Sequence, residues 1–384
     1  MTSASYSSAA AEPFEGLRIR GVAKTFGTDT TVLNEIDLDV HPGELISLVG
    51  SSGTGKSTLL RIIVGLEEPS AGRVTYAGQP LERGSVGVVF QRPILYPHLS
   101  VKDNILFPTR LGAFAGRVDM DYYRELLEAL KLEGLESRKP SQLSGGQAQR
   151  VGIARALIRR APVVLFDEPL ASVDEEMSAS IRADIVRLHE RYGFTGLYVT
   201  HDQNEALMLG QRVAVMDAGY LVQVDTPERL LAHPHTLQVA KLLAAPALNL
   251  LALEDSESLP AGCELAIRAT ALCPVTADTA HALPVQVLGS RHLVGGMLYR
   301  ARLLEAVSLP LESRRASAES ELSARVRARV RAGQELEFFI SDAQGGILSG
   351  TSPNSTFLSA GERVHLGVAA ERCFLFSCGK RFYL

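Results

Sequence analysis

The residues with the clearest chemistry form a glycine-rich loop. Residues 50–58 contain three glycines, one lysine and five hydroxyl side chains, in the pattern Gly-x-x-x-x-Gly-Lys-Ser. Such glycines let backbone N–H groups curve around a polyphosphate, while the lysine reaches the β and γ phosphates and a hydroxyl meets Mg²⁺. The sequence therefore predicts a phosphate-binding loop, with Ser51, Ser52, Gly53, Thr54, Gly55, Lys56, Ser57 and Thr58 as ligand residues.

Two carboxylates and a histidine each follow a short apolar run. Asp167 and Glu168 come after the run Pro162–Phe166, and His201 comes after Gly196–Thr200. Adjacent carboxylates at the end of a buried strand are costly without a cation or a proton to neutralise them. We expect Asp167 to support Mg²⁺, Glu168 to take a proton from water, and His201 to contact a γ-phosphate or position the water.

Three further positions have two interpretations each. Gln91 follows the apolar run 84–90. Its amide oxygen either contacts Mg²⁺ or the attacking water, or the residue is an ordinary part of a surface loop. Ser144 with Gly145, Gly146 and Gln147 opens a helix, and forms either a second anion site or a plain N-cap. Phe26 either stacks on an adenine or packs in the core.

The elements that must position these residues alternate between strands and helices. A strand over 44–49, the loop and a helix over 58–66 give the context that a phosphate loop needs, because the helix N-terminus adds its positive dipole end. Strand ends beside such a loop are where open α/β sheets bind ligands. Asp174 opens a further helix. The fold class predicted is therefore α/β.

Composition limits the remaining choices. The chain has 384 residues, 46% of them hydrophobic, and a net charge of -4. Two domains are expected, and the absence of a basic excess argues against a nucleic-acid partner. Residues 1–14 are predicted to be a flexible tail, and no apolar run is long enough to span a bilayer. The four cysteines fit no common zinc spacing and are expected to be small buried residues.

In this order the motifs resemble the ATP-hydrolysing subunits of ABC transporters, over roughly residues 15 to 245, with a helical subdomain at about 92–160. The phosphate loop is followed by a glutamine loop at Gln91 and by the signature Leu143-Ser144-Gly145-Gly146-Gln147. A carboxylate motif at 163–169, a D-loop at 172–174 and a switch histidine at His201 complete the set. The signature is the most specific motif, because other phosphate-loop classes lack it.

The resemblance implies roles for these residues. ABC ATPases pair head to tail, so ATP held by Lys56 of one copy is closed over by Ser144, Gly145 and Gly146 of the other, with Gln147 and Asp174 nearby. Glu168 would be the general base, and His201 would hold the γ-phosphate. Ser57, Gln91 and Asp167 would serve Mg²⁺, and Phe26 stands where the family usually has an adenine-stacking tyrosine.

Residues 246–384 have a different sequence pattern, in which short runs of alternating apolar and polar residues are separated by turn residues. A weak repeat, Ala-Gly followed by two residues and an apolar strand, begins at 261, 332 and 360. It favours a small all-β barrel of the oligonucleotide-binding (OB) type. Arg325, Arg327, Arg329 and Arg331 alternate with small apolar residues, as either a solvated face or an anion-sensing surface.

A barrel after an ABC ATPase resembles importer subunits that serve polyamines, iron(III), sulfate or sugars. The function predicted is an energy-coupling subunit on the cytoplasmic face of the cell membrane, using ATP and Mg²⁺. Its partners would be a second copy, membrane permease subunits and, indirectly, an extracytoplasmic solute-binding protein. The alternatives are a soluble ABC ATPase acting on nucleic acid or ribosomes, and a barrel that senses a ligand beside an incidental ATPase.

Overall fold

In the computed structural model, the described residues are 14–27, 29–110, 118–244, 247–254, 263–276, 278–293, 296–312, 325–341, 358, 360–368, 373–377 and 380–381. The chain divides into two compact units, Met1–Pro227 and Glu228–Leu384. This division lies before the boundary that the sequence placed at 245/246. The predicted tail, apart from Phe14, lies outside the described residues.

A six-stranded sheet forms the centre of the first unit. Its five mutually parallel strands are mostly apolar and buried, as parallel strands covered on both faces must be, whereas the antiparallel edge strand is largely part-exposed. The six strands are β3 (Leu45–Val49), β6 (Val86–Val89), β7 (Val163–Asp167), β8 (Thr195–Thr200), β9 (Arg212–Asp217) and β10 (Tyr220–Asp225). The order is β10-β9-β3-β8-β7-β6, with only β10 antiparallel to its neighbour.

One face of this sheet packs against an antiparallel sheet and helix α1 (Lys56–Val64). The antiparallel strands, in the order β2-β1-β4-β5, are β1 (Leu17–Phe26), β2 (Thr30–Val40), β4 (Ala71–Tyr76) and β5 (Gln79–Pro80). Helix α1 ends earlier than position 66, because Gly65 adopts a left-handed φ of 78° and caps it. Leu66 is consequently exposed instead of lying on the buried helix face.

The other face is covered by the helical subdomain and the helices after β7 and β8. Alternate residues of β7 divide between the two faces, with Val163 and Leu165 facing α1, and Val164 and Phe166 facing this second set. The helices are α2 (Val101–Leu106), α3 (Met120–Ala129), α4 (Gly145–Leu157), α5 (Glu175–Tyr192) and α6 (Gln203–Leu209).

The second unit begins with two short helices and continues as β-strands. Helices α7 (Pro227–Ala232) and α8 (Leu237–Leu242) lie in it apart from Pro227, and Ala240 of α8 packs in one apolar cluster with Ala266 and Phe376. This packing explains why the division falls before 245. The strands are β11 (Leu248–Ala252), β12 (Glu264–Arg268), β13 (Leu272–Val275), β14 (Leu283–Leu293), β15 (Gly296–Leu303), β16 (Val307–Glu312), β17 (Arg325–Val330), β18 (Glu335–Ser341), β19 (Arg363–Val368), β20 (Cys373–Ser377) and β21 (Lys380–Arg381).

These strands form sheets β11-β12-β20-β21, β13-β19-β14-β15-β18 and β16-β17. Gly333 and Gly361 have left-handed φ values of 79° and 89°, so each repeat there is a turn that feeds a strand, as predicted. The arginine run falls on β17, while the side chains of Arg325, Arg327 and Arg329 lie outside the described residues.

Three of the four cysteines lie in the described part of the chain. Cys263 is buried, whereas Cys273 is exposed, which contradicts the expectation that every cysteine is buried. Cys378 lies outside the described residues. Within the described ranges no helix has the length and apolar character needed to cross a membrane.

Candidate nucleotide site

The glycine-rich loop joins β3 to α1 and has little room for side chains at two positions. A Cβ at Gly50 would lie 2.3 Å from the backbone oxygen of Met216 in β9. Gly55 has a φ of 101°, which L-residues rarely adopt, and its Cβ would lie 2.9 Å from the Val32 oxygen. The loop is thus wedged between β9 and β2, while Ser51, Ser52, Gly53 and Ser57 are exposed.

Lys56 curls across this loop. Its Nζ donates hydrogen bonds to the carbonyl oxygens of Gly50 at 2.7 Å and Ser51 at 2.9 Å, and the residue is 5% exposed. Burial lowers the pKa of Lys56, and the negative charges of Glu168 and Asp167 oppose that shift. The ammonium is therefore a partly desolvated cation held beside two carboxylates.

The other predicted residues lie at the ends of neighbouring strands. Strand β8 is beside β3, then come β7 and β6, all parallel, so their carboxyl ends meet at one edge. His201 follows β8, Asp167 ends β7, and Gln91 follows β6. Burial raises the pKa of Asp167, and the adjacent Glu168 raises it further. The positive charges of Arg61 and Lys56 lower this pKa and so oppose the shift. A carboxyl group in this state would be stabilised by a divalent cation.

Glu168 has an unusual backbone. Its φ is 44°, in the left-handed region, where a residue other than glycine is strained. The conformation is fixed because the N–H of Glu168 donates to the Val199 oxygen of β8 at 2.9 Å. Its Oε2 lies 2.9 Å from Nδ1 of His201. A carboxylate only accepts, so Nδ1 carries the hydrogen and Nε2 remains for another partner.

Glu205, which the sequence did not single out, braces the segment before His201. Its Oε2 accepts from the hydroxyls of Thr200 at 2.8 Å and Tyr198 at 3.1 Å. Asp202 caps α6 by accepting from the Glu205 N–H at 3.0 Å. The histidine thus sits between a buried polar network and a capped helix. A lone glutamate inside a short amphipathic helix gives no sequence signal of this role.

The signature residues form the tip of α4. The Ser144 hydroxyl accepts from the Gln147 N–H at 3.2 Å, and the Gln147 side chain accepts from the Ser144 N–H at 3.0 Å. This is the predicted N-cap, in the form of a capping box. Helix α4 packs on the sheet face opposite α1. Ser144 and Gly145 are exposed there.

The start of α5 supports this tip. A Cβ at Gly146 would lie 2.5 Å from Sδ of Met177, so the first turns of α4 and α5 touch. The Asp174 side chain caps α5 by accepting from the Met177 N–H at 2.9 Å. Deeper in the subdomain, Arg150 of α4 lies 2.8 Å from the fully buried carboxylate of Asp184 in α5. Sequence spacing did not reveal this ion pair, because its members lie on different helices.

Phe26 lies at the end of β1 and is 41% exposed, so it is not a core residue. The ammonium of Lys24 lies 4.9 Å from its ring centroid. Of the two interpretations that the sequence left open, the core one is wrong. An exposed ring with one face over a cation is available for stacking on its other side.

Comparison with known proteins identifies the family. An ABC transporter family model matches residues 33–171, and a TOBE domain model matches residues 305–376. The sn-glycerol-3-phosphate import ATP-binding protein UgpC of Salmonella typhi is 42% identical over 266 residues, which cover 66% of this chain and 74% of that protein. The chain belongs to the ABC transporter family of ATP-binding subunits. The predicted fold, an α/β ABC ATPase followed by an OB-like domain, is confirmed.

Two further proteins extend the comparison. The UgpC 1 protein of Rhizobium johnstonii, also named for sn-glycerol-3-phosphate import, is 45% identical over 241 residues, covering 61% of this chain and 65% of its own length. The solved structure of cbiO1 from Clostridium perfringens, described as part of the ABC transporter complex cbiONQ, has a TM-score of 0.52. It is 27% identical and covers 58% of this chain and 92% of that one.

The tight approach at Gly50 leads to a prediction. Gly50→Ala forces a Cβ against a backbone oxygen, which cannot swing aside as a side chain can, and overpacking of this kind costs about 1–3 kcal/mol. We expect the dissociation constant for ATP to rise about tenfold or more in a fluorescent-nucleotide titration. Gly152→Ala in α4 is the control, because its Cβ would meet only the Pro93 side chain at 3.8 Å. Equal affinity in the Gly50 variant would contradict the wedged loop.

Proposed function

We propose that this chain is an ATP-hydrolysing subunit that supplies energy to a membrane importer. One observation carries the proposal. Lys56, Asp167, Glu168 and His201 converge at one sheet edge, with a 2.9 Å contact between Glu168 and His201. These are the groups that phosphoryl transfer to water requires: a cation for the phosphates, a metal-supporting carboxylate and a base.

The nucleotide site would take ATP with Mg²⁺. Backbone N–H groups of residues 51–58 would hold the phosphates, and Lys56 would turn from its loop carbonyls to the β and γ oxygens. Ser57, Gln91 and Asp167 would serve Mg²⁺, which is usually bound through one or two carboxylates plus substrate phosphates. The raised pKa of Asp167 fits a residue whose charge awaits a cation. Phe26 would stack on the adenine.

The hydrolytic step would use Glu168 and His201. Water attacks the γ-phosphorus, Glu168 accepts a proton from it, and the bond to the β-γ bridging oxygen breaks to leave ADP and phosphate. His201 donates through Nδ1 to Glu168, which aims the carboxylate and leaves Nε2 toward the γ-phosphate. The hydrogen bond from the Glu168 N–H to Val199 and the contact with His201 keep this carboxylate in place before substrate arrives.

A second copy would complete the site. Helices α1 and α4 pack on opposite faces of the sheet, and Ser144 and Gly145 are exposed at the tip of α4. A capped, exposed helix N-terminus of this kind suits an anion. A head-to-tail dimer would bring the tip of one copy onto the phosphates bound by the other.

Import is supported by the names of the two relatives and by the matched TOBE domain.

The permease would dock on an apolar groove of about 320 Å³ beside the glutamine loop. Ile94 and Tyr96 are 63% and 40% exposed there, and Asn104 fixes the loop by accepting from the Tyr96 N–H at 2.8 Å. The subunit would thus lie on the cytoplasmic face of the membrane. The solute would be set by the permease and by an extracytoplasmic binding protein.

Replacing the base tests the catalytic assignment. Glu168→Gln keeps the shape of the side chain and removes its basicity, so phosphate release should fall by about 10² to 10⁴-fold while ATP binding persists. Glu176→Gln, an exposed glutamate in the first turn of α5, serves as the control and should keep its turnover. Near-normal turnover in Glu168→Gln would remove this residue from the role.

Closure by a second copy has its own test. With ATP and Mg²⁺ present, Glu168→Gln should be a dimer in light scattering, and a monomer when nucleotide is omitted. Adding Ser144→Arg should keep it monomeric with ATP, because the bulky cation obstructs the helix tip. A base-deficient chain that stays monomeric in saturating ATP would contradict the head-to-tail site.

Partner identity separates import from the alternative function. The tagged full chain, purified from its own organism in mild detergent, should retain membrane permease subunits. Ile94→Asp, within the exposed groove, should release them, whereas Leu66→Asp, an equally exposed leucine after α1, should not. Recovery of RNA or DNA in place of a membrane protein would favour the nucleic-acid ATPase.

A further inference from the structure

A cavity of about 300 Å³ lies in the first unit at the opposite edge of the central sheet from the phosphate loop. It opens among the amino ends of β3, β7 and β8, where Gly43, Pro162 and Thr195 line it. The strands there are five or six residues long. At about 3.3 Å per residue, they separate the cavity from the nucleotide edge by roughly 17–20 Å. The proposed ATPase does not use it.

Aromatic side chains form much of its wall. Tyr122 and Tyr192 meet edge to face with ring centroids 4.9 Å apart, and Tyr76 and Phe194 also line the space. Phe194 is braced by the ring of His189 at 5.0 Å. The guanidinium carbon of Arg191 also lies 5.4 Å from the Tyr192 ring centroid, so the two tyrosines of this pair and Phe194 are each held by a neighbouring side chain. A planar ligand would find a preformed aromatic site.

The cavity offers a ligand one cationic group, beside the acids Asp119 and Glu125. Among the described residues that line it, Arg160 alone is charged. Its guanidinium carbon lies 4.2 Å from the Tyr122 ring centroid, and one nitrogen contacts Asp119 at 3.1 Å. A guanidinium has five N–H donors, so this contact leaves others for a ligand carboxylate. The positive φ of 49° at Arg160 turns the chain sharply between α4 and β7.

The tyrosine hydroxyls are suited to the same ligand. Burial and the hydrogen bond to Glu125, 2.9 Å away, raise the pKa of Tyr192 to about 12. Burial also raises the pKa of Tyr122. Both phenols are therefore neutral at physiological pH and add no negative charge to the wall.

We propose that this cavity binds a small aromatic carboxylate, with its ring against the tyrosines and Phe194 and its carboxylate on Arg160. A volume near the lower limit for ligand pockets suits a molecule with one ring. The aromatic wall selects for a flat apolar face, and the lone guanidinium selects for a negative charge. Because the two sheet edges are separate, this ligand and ATP bind at the same time.

Benzoate is the probe, titrated into the full chain and followed by saturation-transfer NMR. Benzyl alcohol tests the need for charge, and cyclohexanecarboxylate tests the need for an aromatic ring. We expect both to bind about tenfold more weakly than benzoate. Saturating ATP with Mg²⁺ should leave the benzoate signal unchanged. Loss of that signal with ATP would place benzoate in the nucleotide site and overturn the proposal.

Variants locate the binding. Arg160→Gln should weaken benzoate about tenfold or more, and the control Arg124→Gln, which removes an exposed ion pair with Asp121, should not. Tyr192→Leu removes one ring and should also weaken binding, which keeps the proposal testable if Arg160→Gln fails to fold. Absence of binding to the wild-type chain, or equal binding by a folded Arg160→Gln or Tyr192→Leu, would refute it.

Discussion

The charge balance around Lys56 is the constraint on which the active edge of this protein depends. A buried ammonium loses hydration and is held only because loop carbonyls accept from it and two carboxylates lie close by. Burial raises the pKa of Asp167, and the negative charge of the adjacent Glu168 raises it further. Nucleotide and metal would enter a site whose charges are already matched to them, so little reorganisation is needed at the moment of reaction.

Parallel strand geometry explains how residues so distant in sequence reach this edge. The buried order β3-β8-β7-β6 sets the carboxyl ends side by side, and every one of these ends is followed by at least one of the predicted site residues. The backbone hydrogen bond from Glu168 to Val199 then ties the turn after β7 to the neighbouring strand. Strain at one residue is retained because the sheet around it cannot yield locally.

Much of this could be predicted from the sequence, because local patterns carried it. Glycine spacing, apolar runs and the N-caps Ser144 and Asp174 are short-range signals, and the elements they predicted are present. Leu66 was misplaced because the left-handed turn at Gly65 outweighs helical spacing. The Arg150–Asp184 pair, the Glu205 network and the aromatic cavity join residues far apart in the chain. Only packing could reveal them.

The contact between α4 and α5 has a mechanical consequence. Gly146 touches Met177 at one end of the two helices, and Arg150 forms an ion pair with Asp184 further along, so two separate contacts join α4 to α5. Ser144 caps α4, and Asp174 caps α5 a few residues after Glu168. In a head-to-tail dimer, a pull exerted by one copy's triphosphate would reach the base that serves the other triphosphate. Hydrolysis at the two nucleotide sites of such a dimer would then be coupled.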